Sequence, residues 1–297
     1  MEINMNKDTV FLIAGGDSRQ LYAAKKLAKK YTVYIIGADK SDIDTGNAIK
    51  IDYLYEIPLQ ADCLILPLPV SGDGIFLNTP LSNKKIPLNS LNSIVADNGV
   101  ITGGRFSGQL QEIFSESGAY ITDYSMHEEF SILNAVPTAE AAVLIAMKNT
   151  DSVLYKSKIL ITGFGRISKA LVKILKGFGA EITVAARKKE ALCWAEIYGC
   201  NTIETSSLCR SADKYKYIFN TVPALILTKD FLSKVRPDVF IADLASKPGG
   251  VDFEYASSHN INTVHALSLP GKYFPETAGE IVAQTAENIL MERSHHE

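Results

Sequence analysis

Gly163-Phe164-Gly165-Arg166-Ile167-Ser168 stands between the apolar run Ile159-Leu160-Ile161-Thr162 and the helix-forming Lys169-Ala170-Leu171-Val172. Placed after a strand and at the head of a helix, such a segment can bind a pyrophosphate. The first glycine permits the tight turn, the second lets the backbone approach the phosphates, and the helix N-terminal amides face the anion. Ser168 takes the place of the usual third glycine and is small enough for close helix–strand packing. The next apolar run ends in Ala185-Ala186-Arg187-Lys188-Lys189. An NAD-selective site would carry Asp or Glu there for the ribose 2′-hydroxyl, whereas Arg187 and Lys188 suit a 2′-phosphate. The expected cofactor is NADP, with NAD possible. The same residues also read as a solvated basic turn after a strand.

Near the N-terminus, Gly15-Gly16-Asp17-Ser18-Arg19-Gln20 repeats the strand–glycine–helix pattern without the phosphate-binding spacing, and Asp17 would repel phosphate. Arg19 and Ser18 are expected to project over the C-terminal edge of a sheet, where open α/β sheets bind ligands; the bland reading is a capped helix start.

The elements that must position these groups follow from hydrophobic periodicity. Strands are expected at 10–14, 32–37, 63–67, 93–96, 118–122, 159–162, 182–185, 217–220, 239–243 and 262–265. Helices are expected after the glycine turns, from Pro137 (a good first-turn residue) to about 149, and from Glu276 to about Arg293, where Ile281, Thr285, Ile289 and Leu290 make one stripe. Alternating strands and helices argue for parallel sheets covered on both faces. The fold class read from this is α/β, with two Rossmann-like doubly wound parallel-sheet domains joined by two linker helices. Residues 1–136 form a Rossmann- or flavodoxin-like substrate domain, 137–150 a linker helix, 151–270 the NAD(P)-binding Rossmann domain, and 271–297 a C-terminal helix packing back on the first domain.

The chain has 297 residues, 46% of them hydrophobic and 21% charged, with a formal net charge of −3. That balance is unlike a nucleic-acid binder, which shows a basic face. No uninterrupted apolar run approaches the about 18 residues of a membrane span, and the polar start MEINMNKDTV has no signal-peptide core, so a cytoplasmic protein without membrane contacts is expected. Cys63, Cys193, Cys200 and Cys209 form no CxxC and no zinc-ligand spacing with histidine. They read as buried free thiols, and no metal is expected.

Six motifs then occur in order: Gly15-Gly16-Asp17-Ser18-Arg19-Gln20, Asn134-Ala135-Val136-Pro137-Thr138-Ala139-Glu140, Gly163-Phe164-Gly165-Arg166, Asn220-Thr221-Val222-Pro223, Asp243 to Gly250 (DLASKPGG), and Leu269 to Gly279 (LPGKYFPETAG). Over nearly the whole chain this ordered set resembles the A subunits of dipicolinate synthase from spore-forming bacteria. Ser18 stands where relatives carry Ala, and Lys247 where some carry Arg.

The resemblance implies oxidation of 2,3-dihydrodipicolinate to dipicolinate with NAD(P)+, in dipicolinic acid synthesis in the mother cell of a sporulating bacterium. It also implies, for a partner, the flavoprotein-like B subunit; a homo-oligomer is expected besides. The substrate is a small dianion, so its carboxylates call for Arg19, Arg105, Lys247 and Lys272, with Ser71, Thr138, Ser246 and Thr277 as hydroxyl donors. Gly163, Phe164, Gly165, Arg166, Ile167, Arg187, Lys188, Asn220, Thr221, Val222, Pro223 and Ser246 are the cofactor candidates. For the base, Glu140, His127 and His265 are candidates; each also reads as a structural or solvated residue. Two other readings stay open: an NADP-binding sensor or scaffold without catalysis, and another small-acid dehydrogenase.

Overall fold

The structure, a computed structural model, describes residues 8–295. By internal contacts the chain divides after Asn134 and again after Tyr273, so that the first unit is completed by the C-terminal segment from Phe274 onward.

The first unit contains β1 (Val10–Ala14), α1 (Ser18–Leu27), β2 (Thr32–Ile36), β3 (Ile49–Ile51), β4 (Ala61–Ile65), β5 (Val95–Gly103), α2 (Gly108–Phe114), β6 (Tyr120–Asp123) and the start of α3 (Glu128–Lys148). Its six strands are all parallel in the order β3-β2-β1-β4-β5-β6. Strand periodicity divides the core in two. Phe11 and Ile13 of β1 face one cluster with Val33, Ile35, Cys63 and Ile65, and Val10, Leu12 and Ala14 face the other with Tyr34, Ile36 and Leu64. The chain's last helix, α9 (Pro275–His295), covers the first cluster beside α1 through Ile281, Val282, Ala283, Ala286, Ile289 and Leu290. The two helices cross so closely that a Cβ on Gly279 would lie 2.3 Å from the Arg19 carbonyl oxygen.

The second unit continues with β7 (Lys158–Thr162), α4 (Arg166–Gly177), β8 (Glu181–Ala186), α5 (Lys189–Ile197), β9 (Asn201–Glu204), β10 (Tyr217–Asn220), α6 (Lys229–Leu232), β11 (Phe240–Asp243), α7 (Phe253–Ser258), β12 (Asn262–His265) and α8 (Leu269–Tyr273). Its sheet is again parallel, β12-β11-β10-β7-β8-β9. Both sheets therefore have the doubly wound strand order whose direction reverses beside the first strand, the position where such folds bind ligands.

Several elements differ from the sequence reading. β3 and β9 have no apolar run to announce them: each is a short edge strand, Ile49 and Lys50 are exposed, and no residue of β9 is buried. In β5 the continuous buried part is residues 99–103, separated from the buried Val95 by the exposed Asp97 and Asn98 and a register shift against β4. α3 starts at Glu128 rather than at Pro137, which lies inside it. Glu128 and Glu129 favour the positive end of the helix dipole, and Phe130 anchors the first turn against Tyr124, ring centroids 5.1 Å apart. α3 is apolar and long enough to resemble a membrane-crossing helix, but 56% of its apolar window is buried inside the protein. Of the cysteines, Cys63 and Cys200 are buried, Cys209 is half-buried, and Cys193 is exposed on α5 rather than buried as expected.

Candidate functional site

β7 delivers the chain to Gly163, whose φ of +84° is open to glycine at little strain. Its amide donates to the Ala185 carbonyl oxygen at 2.8 Å, and a Cβ here would come within 2.7 Å of Thr221 Oγ1. Gly165 is different. It is the N-cap of α4, extended at φ −89°, and a Cβ added to it would meet nothing within 4 Å. The space over the head of a twelve-residue helix is thus free, and the first-turn amides of such a helix lack intrahelical acceptors. Ser168 is fully buried and its Oγ lies 3.0 Å from Thr221 Oγ1, so the residue in the third-glycine position ties α4 to the end of β10.

Beyond β8, Arg187 and Lys188 are exposed, with Lys188 the N-cap of α5. Phe164 meets Tyr198 edge to face at 5.5 Å, and Lys169 Nζ lies over both Phe164 and Trp194. The open cradle and the exposed Arg187 fit a dinucleotide: a turn, a helix terminus for the pyrophosphate and a cation at the end of β8. Arg166 is exposed and Ile167, Val222 and Thr221 are half-buried around this turn, with Pro223 exposed.

Behind the cradle lies a hub that the sequence reading missed. Asp243, fully buried at the end of β11, accepts from Asn220 Nδ2 at 2.7 Å, Ala245 N at 3.1 Å and Gly250 N at 2.7 Å. Asn220 Oδ1 in turn accepts from Thr162 Oγ1 at 2.5 Å. One carboxylate thus shapes the whole loop that carries the exposed Ser246 and Lys247. Asn220, taken from sequence as a cofactor contact, has its side chain turned into this network with no exposed surface, so its amide holds the loop instead. The signal that could have found Asp243 is its place at a strand end directly before a glycine-rich loop, where backbone amides need an acceptor.

The base candidates are separated by their bonds. His265 stacks on Phe253 and its Nε2 lies 3.1 Å from the Ala245 carbonyl oxygen. A carbonyl can only accept, so Nε2 carries the proton and only Nδ1 has a lone pair for base chemistry. His127 Nε2 is 3.2 Å from Thr122 Oγ1, and Glu140 is exposed on α3.

In the first unit, the loops after β1, β4 and β5 are stitched into one rim at the switch point. Arg19 Nη2 donates to Leu68 O at 3.3 Å, Gly104 N to Pro67 O at 3.0 Å and Val70 N to Gly104 O at 3.2 Å. This brings Arg19, Ser71 and Arg105 to one sheet end. The glycine turn here is closed: Gly16 N donates to Asn78 O at 2.8 Å, and Asp17 caps α1. The Arg19 side chain is 15% exposed and paired to Asp17 at 2.9 Å. Burial alone would lower its pKa, but the hydrogen bonds and charge of Asp17 outweigh this and raise it. Ser71 Oγ donates to Phe76 O and accepts from Gly74 N, so it holds its own turn. Arg105 is exposed in a left-handed conformation, and Thr277 is exposed at the start of α9. In the second unit, Thr138 is buried on α3 and Lys272 is exposed on α8.

Comparison with known proteins gives two family matches. Residues 10–125 match the N-terminal domain of the dipicolinate synthase A subunit, and residues 141–245 match the D-isomer specific 2-hydroxyacid dehydrogenase, NAD binding domain. The chain is 31% identical over 285 residues to the dipicolinate synthase A subunit of Bacillus subtilis (strain 168), covering 94% of this chain and 95% of that protein. The crystal structure of the dipicolinate synthase A chain from Bacillus subtilis superposes with a TM-score of 0.87 at 29% identity, covering 99% of both chains. That of the corresponding protein from Bacillus halodurans gives 0.85 at 26% identity, covering 97% of this chain and 99% of that one.

Proposed function

This chain belongs to the family of dipicolinate synthase A subunits, and from that premise we propose that it oxidises 2,3-dihydrodipicolinate to dipicolinate, with NADP+ as the favoured oxidant. The chain is a nicotinamide-dependent oxidoreductase with a dehydrogenase role in dipicolinate synthesis. The observation that carries the finer reading is the open cradle over Gly165 with Arg187 beyond β8, in a chain with this family's order of motifs.

A bound nicotinamide dinucleotide supplies the hydride acceptor. The chain's own groups do the rest. α4 amides and Arg166 hold the pyrophosphate, Arg187 and Lys188 the 2′-phosphate. For substrate carboxylates the first unit offers Arg19 and Arg105, with Ser71 and Thr277 as hydroxyl donors, and the second offers Lys247 and Lys272, with Thr138 and Ser246. Loss of hydride from one ring carbon and of a proton from its neighbour makes the ring aromatic. The driving force is thus in the substrate, and the protein's main contribution is orientation. The proton passes to solvent or to one of Glu140, His127 and His265, the last through Nδ1. A homo-oligomeric assembly, a cytoplasmic location, a role in sporulation and pairing with the B subunit complete the reading.

The test follows absorbance of the reduced nicotinamide while the purified chain meets NADP+ or NAD+ and dihydrodipicolinate generated in place from pyruvate and aspartate semialdehyde, with and without the B subunit. The expected result is dipicolinate formation above the spontaneous rate, faster with NADP+. Turnover of other small 2-hydroxy or 2-amino acids in its place refutes the substrate. Tight dinucleotide binding with no turnover in any mixture refutes the reaction.

A further inference from the structure

We infer that Asp17 is a positioning residue for Arg19: it braces the guanidinium so that a ligand carboxylate is met by Nη1 alone. This rests on the reading above that Arg19 binds the substrate.

The donors decide it. A guanidinium has five N–H groups in a fixed plane. Arg19 Nε donates to Asp17 Oδ1 at 2.9 Å and Oδ2 at 3.2 Å, and Nη2 donates to Asp17 Oδ2 at 2.9 Å and Leu68 O at 3.3 Å. Nη1 makes no hydrogen bond among the described residues. The same carboxylate accepts from the Arg19 backbone amide at 3.0 Å while capping α1, so both ends of the side chain are held by one neighbour. Two buried side chains pack beside the pair. Tyr124 is fully buried beside the pair, burial holding its phenol neutral, and Gln20, 1% exposed, folds so tightly under Gly16 that a Cβ there would lie 2.5 Å from the amide carbon.

Two consequences follow. Recognition at this end of the substrate is a single directed contact through one nitrogen, where an unbraced arginine would offer a two-nitrogen fork. And the rotamer freedom of a long side chain is removed before the ligand arrives, so binding does not have to supply that ordering.

The experiment compares wild type with Asp17→Asn and Asp17→Ser, both of which keep a side-chain acceptor for the α1 cap but weaken or remove the brace. It reads KM and kcat for dihydrodipicolinate, and the Kd of dipicolinate itself by calorimetry, which needs no turnover. The expected result is a rise of about tenfold in KM and in dipicolinate Kd, with kcat and dinucleotide affinity within about twofold. In an Arg19→Lys background, Asp17→Asn should add little, since the two act as one unit. Dipicolinate binding by Asp17→Asn equal to wild type reduces Asp17 to a helix cap, and tighter binding makes it a competitor for Arg19; either overturns the inference. A wild type that binds dipicolinate only as weakly as Arg19→Ala removes Arg19 from the site and the inference with it, a result distinct from a wild type that binds well and a variant that matches it.

Discussion

Gly165→Asp should strengthen the fold and abolish dinucleotide binding in the same molecule. Gly165 has the extended backbone of an N-cap, φ −89° and ψ −164°, and open space around its missing side chain. Aspartate is a better N-cap than glycine by a few tenths of a kcal/mol, and its charge at the positive end of α4 adds a similar amount. The sum is a stabilisation of about 0.5–1 kcal/mol. The same carboxylate then occupies the amides proposed for the pyrophosphate. At about 4 Å from a phosphate charge, with an effective dielectric of about 20, the repulsion is on the order of 4 kcal/mol, roughly a thousandfold in affinity. Titration of NADPH fluorescence reads the binding, and thermal unfolding reads the stability. Gly165→Ala separates bulk from charge: its NADPH affinity should fall between the two, and its stability below wild type, because alanine is a poorer N-cap than glycine. A Gly165→Asp protein that is as stable as wild type or more so, yet binds NADPH within fivefold of it, would refute the reasoning, because the pyrophosphate could not then lie over the head of α4.

Arg187→Glu should shift preference from NADP toward NAD by about 2–3 kcal/mol, roughly 30- to 150-fold in the ratio of the two affinities; an unchanged ratio removes Arg187 from the 2′-phosphate. Asp243→Ala leaves two buried amides, Ala245 N and Gly250 N, without an acceptor and takes from Asn220 Nδ2 one of its two acceptors, the other being Val222 O. It should destabilise the second unit by about 3 kcal/mol or more in denaturant unfolding, and a loss below about 1 kcal/mol contradicts the role of a hub. Asp238 is held down to about 2 by hydrogen bonds first from Arg236 and then from Lys216. A depressed carboxylate pKa stabilises the fold above its unfolded value and loses that contribution as pH falls through the folded one. Its carboxyl carbon signal should therefore titrate below the signals of unpaired aspartates, and in Lys216→Met the midpoint should move up.

Local chemistry made much of this protein legible. Val10–Ala14 and Lys158–Thr162 announce strands because each is a short apolar run followed by glycines, and Gly163 to Ser168 announces a phosphate-binding turn because the needed backbone shapes depend on residues a few positions apart. Arg187 could be placed at the end of β8 by counting from the same motif. The ends of α3 and the edge strands β3 and β9 were hidden, since Pro137 is a start signal that an interior can tolerate and edge strands need no apolar run. What only the tertiary structure decided are the pairings between distant segments. Asn78 O lies on Gly16 N and closes the first glycine turn, Leu68 O takes one donor of Arg19, and Asp243 gathers Asn220 and the loop to Gly250. The sequence determined which groups could donate or accept and the backbone shapes around them. Which partner each one found depended on sheet order and strand register, because a hydrogen bond is satisfied by whatever lies within about 3 Å in space, however far away it is along the chain.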